Sequence, residues 1–200
     1  MYSTKTATTN NTEFNSSYMP VGINENVTLQ SVNVLKSQQG HDYIEFVFVN
    51  SEGQTATMTE WKNEKNIWIK TDEDLQKRDD QQFGRILQII DCFYETRPEF
   101  EGSNFVEMIN WVKTKLDNIQ EKDKQPLRLK VIYDNKGYTK VSTNGIFVES
   151  MVTPESQIKL FKRDLLERPI VADKEPVADP FADSTSVTAD SNTGADDLPF

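Results

Sequence analysis

One ten-residue run combines the two side-chain types that can grip a stacked, anionic chain. Trp61-Lys62-Asn63-Glu64-Lys65-Asn66-Ile67-Trp68-Ile69-Lys70 interleaves two tryptophans with three lysines. An indole offers a π-face to a planar base, worth on the order of 1 to 3 kcal/mol per base, and an ammonium offers a counter-charge to a phosphate. The same pairing of types recurs at Lys136, Tyr138 and Lys140. Tyr43, Arg128 and Lys130 join them by parity, because alternation puts Tyr43 on the face opposite Phe46 and the two cations opposite Leu127. Each has a plainer reading as well. The tryptophans could pack in or beside the core, and the cations could be solvated strand surface.

Catalytic constellations are hard to assemble from the rest. The chain has one histidine (His41) and one cysteine (Cys92), so a disulfide framework, a Cys/His zinc site and an iron–sulfur cluster have too few ligands. His41 sits beside Gly40 in an expected turn, and Cys92 falls one step off a helical apolar stripe, as an inert, partly buried thiol would. The carboxylate groups Asp72-Glu73-Asp74, Asp79-Asp80 and Glu121-x-Asp123 lack a neighbouring base and read as solvated helix surface. Neither a Walker A nor a GxGxxG run is present. The expectation is a protein that is not an enzyme and takes no cofactor or metal.

The elements that must hold these residues follow from periodicity. An apolar parity that slips from Val27 and Leu29 to Val32 and Val34 predicts a bent first strand with a bulge. Tyr43 to Asn50 alternates with Ile44, Phe46 and Phe48 on one face, and Ser51-Glu52-Gly53 turns it into a strand over Gln54 to Trp61. Thr71 followed by Asp74 resembles a capping box ahead of the stripe Phe83, Ile86, Leu87, Ile90 and Phe93. Asn104 with Glu107 opens a second helix striped by Phe105, Met108, Ile109, Val112 and Leu116. Leu127, Leu129, Val131 and Tyr133 then mark a core-facing strand, turned at Asp134-Asn135-Lys136-Gly137 into a partner from Tyr138. Gly145 to Val148 adds a short strand, and Thr153-Pro154-Glu155 is expected to open a last helix carrying Ile158, Phe161 and Leu165.

Three strands, helices, then further strands is the order of a small Greek-key barrel of the OB type, mainly β with helices (α+β), with a helical insertion between strands 3 and 4. A generic α+β sheet with helices on one face fits the same order. In an OB barrel the second and third strands and their loops form the binding face, which would put the Trp61–Lys70 run at its edge.

Composition and charge divide the chain. Eleven of the first nineteen residues are Ser, Thr or Asn, and hydrophobic content is 36%, against roughly 45–50% in a typical globular chain. Residues 1–20 are expected to be a disordered arm, 21–168 the folded domain and 169–200 a disordered acidic tail. Seven carboxylates against Lys174 give the tail −6 of the formal −10, leaving −4 on residues 1–168. A mildly acidic body can still carry a local basic track. No apolar stretch suits a bilayer, and the N-terminus lacks an apolar leader segment, so the expected location is the cytoplasm, that of a host cell if the chain is viral.

The last residues, Ala195-Asp196-Asp197-Leu198-Pro199-Phe200, resemble the C-terminal tip of bacterial single-stranded-DNA-binding proteins, and several phage replication proteins also end in an acidic tail with a terminal Phe. A terminal Phe with its α-carboxylate and an adjacent Asp pair suits an apolar pocket with a cationic rim. The resemblance implies binding and protection of single-stranded DNA in replication, recombination or repair. It also implies recruitment of partner proteins through Asp196, Asp197, Leu198, Pro199 and Phe200. The long helical stretch is closer to phage-type proteins with embellished barrels than to the compact bacterial form. A flexible −6 segment could also occupy the protein's own cationic groove. A homo-oligomer is compatible with this reading, since periodicity does not show which strand edges or helix faces are exposed. The competing function is an interaction adaptor or assembly scaffold that binds protein and not DNA.

Overall fold

The computed structural model of the chain describes residues 17–120 and 122–169. Residues 1–16 of the expected arm (1–20), residues 170–200 of the expected acidic tail (169–200) and with them the Asp196–Phe200 tip lie outside the described residues. Along the described residues run β1 (Gly22–Lys36), β2 (Asp42–Val49), β3 (Thr55–Trp61), α1 (Asp72–Asp91), α2 (Phe105–Asp117), β4 (Leu127–Tyr133), β5 (Thr139–Val141) and β6 (Val148–Ser150).

Antiparallel ladders join the strands in the order β3-β2-β1-β4-β5, and β6 shares the far edge of β4 with β5. β1 is long enough to serve two neighbours. Its first half pairs with β4 and its second half with β2. The register slips between Leu29 and Ser31 on the β2 side, where the parity of the apolar residues also slips, and again between Asn24 and Val27 on the β4 side, where Asn26 has φ 55°. These irregularities bend β1. β3 and β5, at the two ends of the path, approach each other, so the sheet curls into a nearly closed barrel.

Alternation fills the interior. Ile44, Phe46 and Phe48 of β2 face Met58 and Ala56 of β3, and Leu127, Leu129 and Val131 of β4 complete the wall. Ile86, Ile89 and Ile90 of α1 and Ile109, Val112 and Leu116 of α2 join the same core. Burying each such side chain contributes about 1.5–3 kcal/mol. Both helix starts follow their sequence signals. The Thr71 hydroxyl accepts from the Asp74 backbone N–H while Asp74 accepts from that of Thr71, which holds the Asp74 carboxyl below its usual range. Asn104 caps α2 through the Glu107 N–H at 3.0 Å.

Five expectations need correction. Met19 is fully buried, and Ser17 and Met19 exchange backbone hydrogen bonds with Thr55. Ordered chain therefore reaches back into the segment assigned to the arm. Tyr133, expected in the core, is only half-buried, and the strand expected from Gly145 begins at Val148.

Arg128 and Lys130 do stand on the face of β4 opposite Leu127, but that face is covered. Lys130 is fully buried and spends its three ammonium protons on Asn144 O (2.7 Å), Lys159 O (2.9 Å) and Asp164 Oδ2 (3.2 Å). Arg128 reaches Glu25 at 3.1 Å, Glu149 at 3.2 Å and Thr153 O at 2.9 Å. Neither cation is left for a phosphate.

The expected helix from Thr153 does not form, and the same two cations explain why. A helix needs the carbonyls of its first turns for its own N–H groups. Here the carbonyls of Thr153 and Lys159 accept from Arg128 and Lys130, while Leu165 O accepts from the Tyr133 N–H at 2.8 Å. The Phe161 N–H goes to the Asp164 carboxylate at 2.8 Å. The segment is an irregular strap over β4, and only Ile158 among its apolar side chains is buried.

Candidate nucleic-acid interface

The outer face of β1, β2 and β3 is open, and its side chains lie in rows fixed by register. Leu35, Tyr43 and Trp61 form one row, Asn33, Glu45 and Thr59 the next, and Ser31, Val47 and Thr57 the one after. In these nine positions Glu45 is the one charged residue. The face is therefore aromatic at one end and hydroxyl-rich beyond it.

At the aromatic end Tyr43 and Trp61 are stacked, with ring centroids 4.2 Å apart and planes inclined by 27°. Trp61 keeps 45% of its surface exposed. It also lines a shallow concavity with His41, Lys62, Asn63, Lys65 and Ile69. A planar ligand can stack there only on the side of each ring that the other does not cover.

The segment after Trp61 is held in a defined shape by two of its own residues. Asn66 Oδ1 accepts from the Trp68 N–H at 2.8 Å and the Ile69 N–H at 3.0 Å, and the Asn66 N–H donates back to Ile69 O at 3.0 Å. Ile69 is buried and anchors the turn, so Ile67 and Trp68 project, 74% and 81% exposed. Lys62 and Lys70 are exposed. Lys65 contacts Asp72 at 2.6 Å with both side chains largely in water. Such a surface pair is weak enough to be exchanged for a phosphate.

Lys136, Tyr138 and Lys140 form a second group on the β4–β5 hairpin. Its turn is set by Asp134 Oδ1, which accepts from the N–H groups of Lys136 (2.8 Å) and Tyr138 (2.9 Å). Those hydrogen bonds hold the Asp134 carboxyl below its usual range. Gly137 has φ +80°, and the Arg168 side chain packs where a Cβ would project. Arg168 thus adds a third cation to this group, one that no local pattern placed beside a hairpin about thirty residues upstream.

The expected residues therefore sort three ways. Tyr43 and Trp61 stack at one end of the β1–β2–β3 face, Lys62 and Lys65 line the concavity beside Trp61, Trp68 and Lys70 are exposed on the turn that follows, and Lys136, Tyr138 and Lys140 sit on the later hairpin. Arg128 and Lys130 drop out. Leu35 and Glu45 were overlooked, although their alternation with Val34 and Phe46 places them on the Tyr43 side.

Elsewhere, His41 lies exposed, 4.0 Å from Glu64. Burial, with Asp91 and Glu149 nearby, pushes the Cys92 thiol up to about 12, which keeps it protonated and unreactive. Among the described residues no cluster of His, Cys, Asp and Glu could hold a metal ion, and no helix is long and apolar enough to cross a membrane. No protein-family model and no curated protein sequence matches this chain.

Proposed function

We propose that the protein binds single-stranded DNA on the outer face of β1, β2 and β3, as an OB-like Greek-key barrel with α1 and α2 inserted between its third and fourth strands. The observation that carries this reading is two exposed tryptophans, Trp61 at the end of an open sheet face and Trp68 on the turn that follows it, interleaved in sequence with Lys62, Lys65 and Lys70. Bases would stack on the two indoles and phosphates would take the ammonium groups, a combination that tolerates any sequence because every base has a π-face. The strand path β3-β2-β1-β4-β5 with β3 approaching β5 is the order an OB barrel would have. In this reading the protein covers separated strands during replication, recombination or repair. The acidic segment ending in Asp196-Asp197-Leu198-Pro199-Phe200 recruits partner proteins.

The test is a tryptophan-fluorescence titration with single-stranded and duplex oligonucleotides. Quenching by single strands, weakened by salt, supports the reading, and an unchanged spectrum removes it. An adaptor that binds protein is the second reading. The exposed Ile67–Trp68 pair and the negative Glu45 on an otherwise uncharged face favour it.

A further inference from the structure

Directly behind Trp61 lies a chain of hydrogen bonds that the sequence pattern of α1 does not account for. Gln82 sits on the buried side of α1 with 2% of its surface exposed, where packing alone would favour an apolar residue. Its amide N–H groups donate to Trp61 O at 2.7 Å and to Glu60 Oε2 at 2.9 Å. Its Oε1 accepts from Asn63 Nδ2 at 3.3 Å, and that nitrogen also reaches Asp79 Oδ1 at 2.9 Å. Arg85, one turn further along α1, grips the buried Glu60 carboxylate with both Nε (2.6 Å) and Nη2 (2.8 Å). One helix face thus holds the residue before Trp61, the carbonyl of Trp61 and the side chain two positions after it.

We propose that Gln82, acting with Asn63, is a positioning residue for the Trp61–Tyr43 platform. It fixes the backbone at the end of β3 so that the indole stands on Tyr43 and the turn leaves in the direction that brings Lys62 and Lys65 beside Trp61. β3 ends there with no further ladder partner past the Tyr43–Trp61 pair, so without this tether the strand end would fray. The proposal rests on the nucleic-acid reading for its functional meaning, while its structural content stands apart from it.

The experiment uses the full chain in wild-type, Gln82→Met and Asn63→Ala forms. Near-ultraviolet circular dichroism of the free protein reports the stacked Tyr43–Trp61 pair, with Trp61→Phe as the reference for its loss. Titration with a single-stranded oligonucleotide reports the platform. Asn63→Ala removes the tether to the turn and leaves the buried Glu60–Arg85 pair intact, so it is expected to stay folded, with a melting temperature lowered by the unpaired Gln82 Oε1. Both variants are expected to lose dichroism toward the Trp61→Phe level and to bind on the order of fivefold more weakly, part of what one stacked base contributes. Wild-type dichroism and affinity in a folded Asn63→Ala and a folded Gln82→Met would overturn the proposal. If wild type binds no oligonucleotide, the nucleic-acid reading fails, and the dichroism alone still decides whether Gln82 and Asn63 set the platform.

Discussion

Tyr43 and Trp61 occupy directly opposed positions on β2 and β3, and their rings stack at 4.2 Å. Each ring shields one face of the other, so the pair behaves as one platform and not as two. Replacing Trp61 by Ala removes the outer ring but uncovers Tyr43. The expected loss in single-strand affinity is about 1 kcal/mol, near the low end for a stacked base. Trp61→Ala combined with Tyr43→Ala should cost more than the sum of the single losses, because each single variant leaves the other ring to substitute. Trp68 is exposed on the turn after Trp61 and takes no part in the Tyr43–Trp61 stack, so Trp68→Ala should add to either variant. Fluorescence anisotropy of a labelled oligonucleotide measures all of them.

Glu45 stands one register row from that platform on a face with no other charge in its first three rows. A phosphate passing at about 8 Å would feel roughly 0.5 kcal/mol of repulsion in water. Glu45→Gln is therefore expected to tighten single-strand binding about twofold and to leave the melting temperature nearly unchanged. Weaker binding by this variant would assign Glu45 a direct contact with a base.

Lys130 and Lys62 allow a structural cation to be told from a proposed phosphate-binding one. Lys130→Met leaves Asp164 buried without its ammonium partner, and breaking a buried pair from one side costs about 3–5 kcal/mol. Its urea midpoint should fall sharply, while the folded fraction keeps wild-type affinity and salt dependence. Lys62→Ala should do the reverse, keeping stability and lowering the slope of log K against log salt by about 0.7, the share of one phosphate contact on a single strand.

Asp164 also makes stability depend on acid. Burial alone would raise its carboxyl, but hydrogen bonds from the Phe161 N–H, the Asn144 amide and Lys130 outweigh burial and hold it below the ordinary 3.8. A folded value below the unfolded one means the stabilisation is complete above the unfolded value and is lost as pH falls through the folded one. Urea midpoints measured downward from about pH 5 should drop more steeply for wild type than for Asp164→Asn, which has no carboxyl to protonate there. Equal slopes would show that Asp164 does not govern acid unfolding.

How far the fold could be read from the chain depended on whether a signal was local. The slip from Leu29 to Val32, the Thr71–Asp74 box, the Asn104 cap and the turn at Gly53 all involve neighbours within a few residues, and each falls where the pattern put it. The strap after Thr153 shows the limit. Its Pro154 and acidic first turn satisfy every local rule for a helix start, yet carbonyls claimed by Arg128 and Lys130 of β4 leave no helix to form. Those two cations were misjudged for the same reason, since nothing near them in sequence marks the strap that covers them. Within the candidate site, Trp61, Trp68 and their lysines announce themselves by composition. Gln82 does not, because its partners Glu60, Trp61 and Asn63 are about twenty residues away.

The Trp61–Lys70 end of the sheet is the proposed site for single-stranded nucleic acid. The most direct measurement is intrinsic fluorescence of the full chain titrated with single-stranded and duplex oligonucleotides at about 50 and 200 mM salt, the range over which phosphate contacts reveal themselves. Saturable quenching by single strands, weaker with duplex, relieved at the higher salt and reduced in Trp61→Ala and Trp68→Ala, is the predicted result. A spectrum unmoved by any oligonucleotide at the lower salt would contradict it.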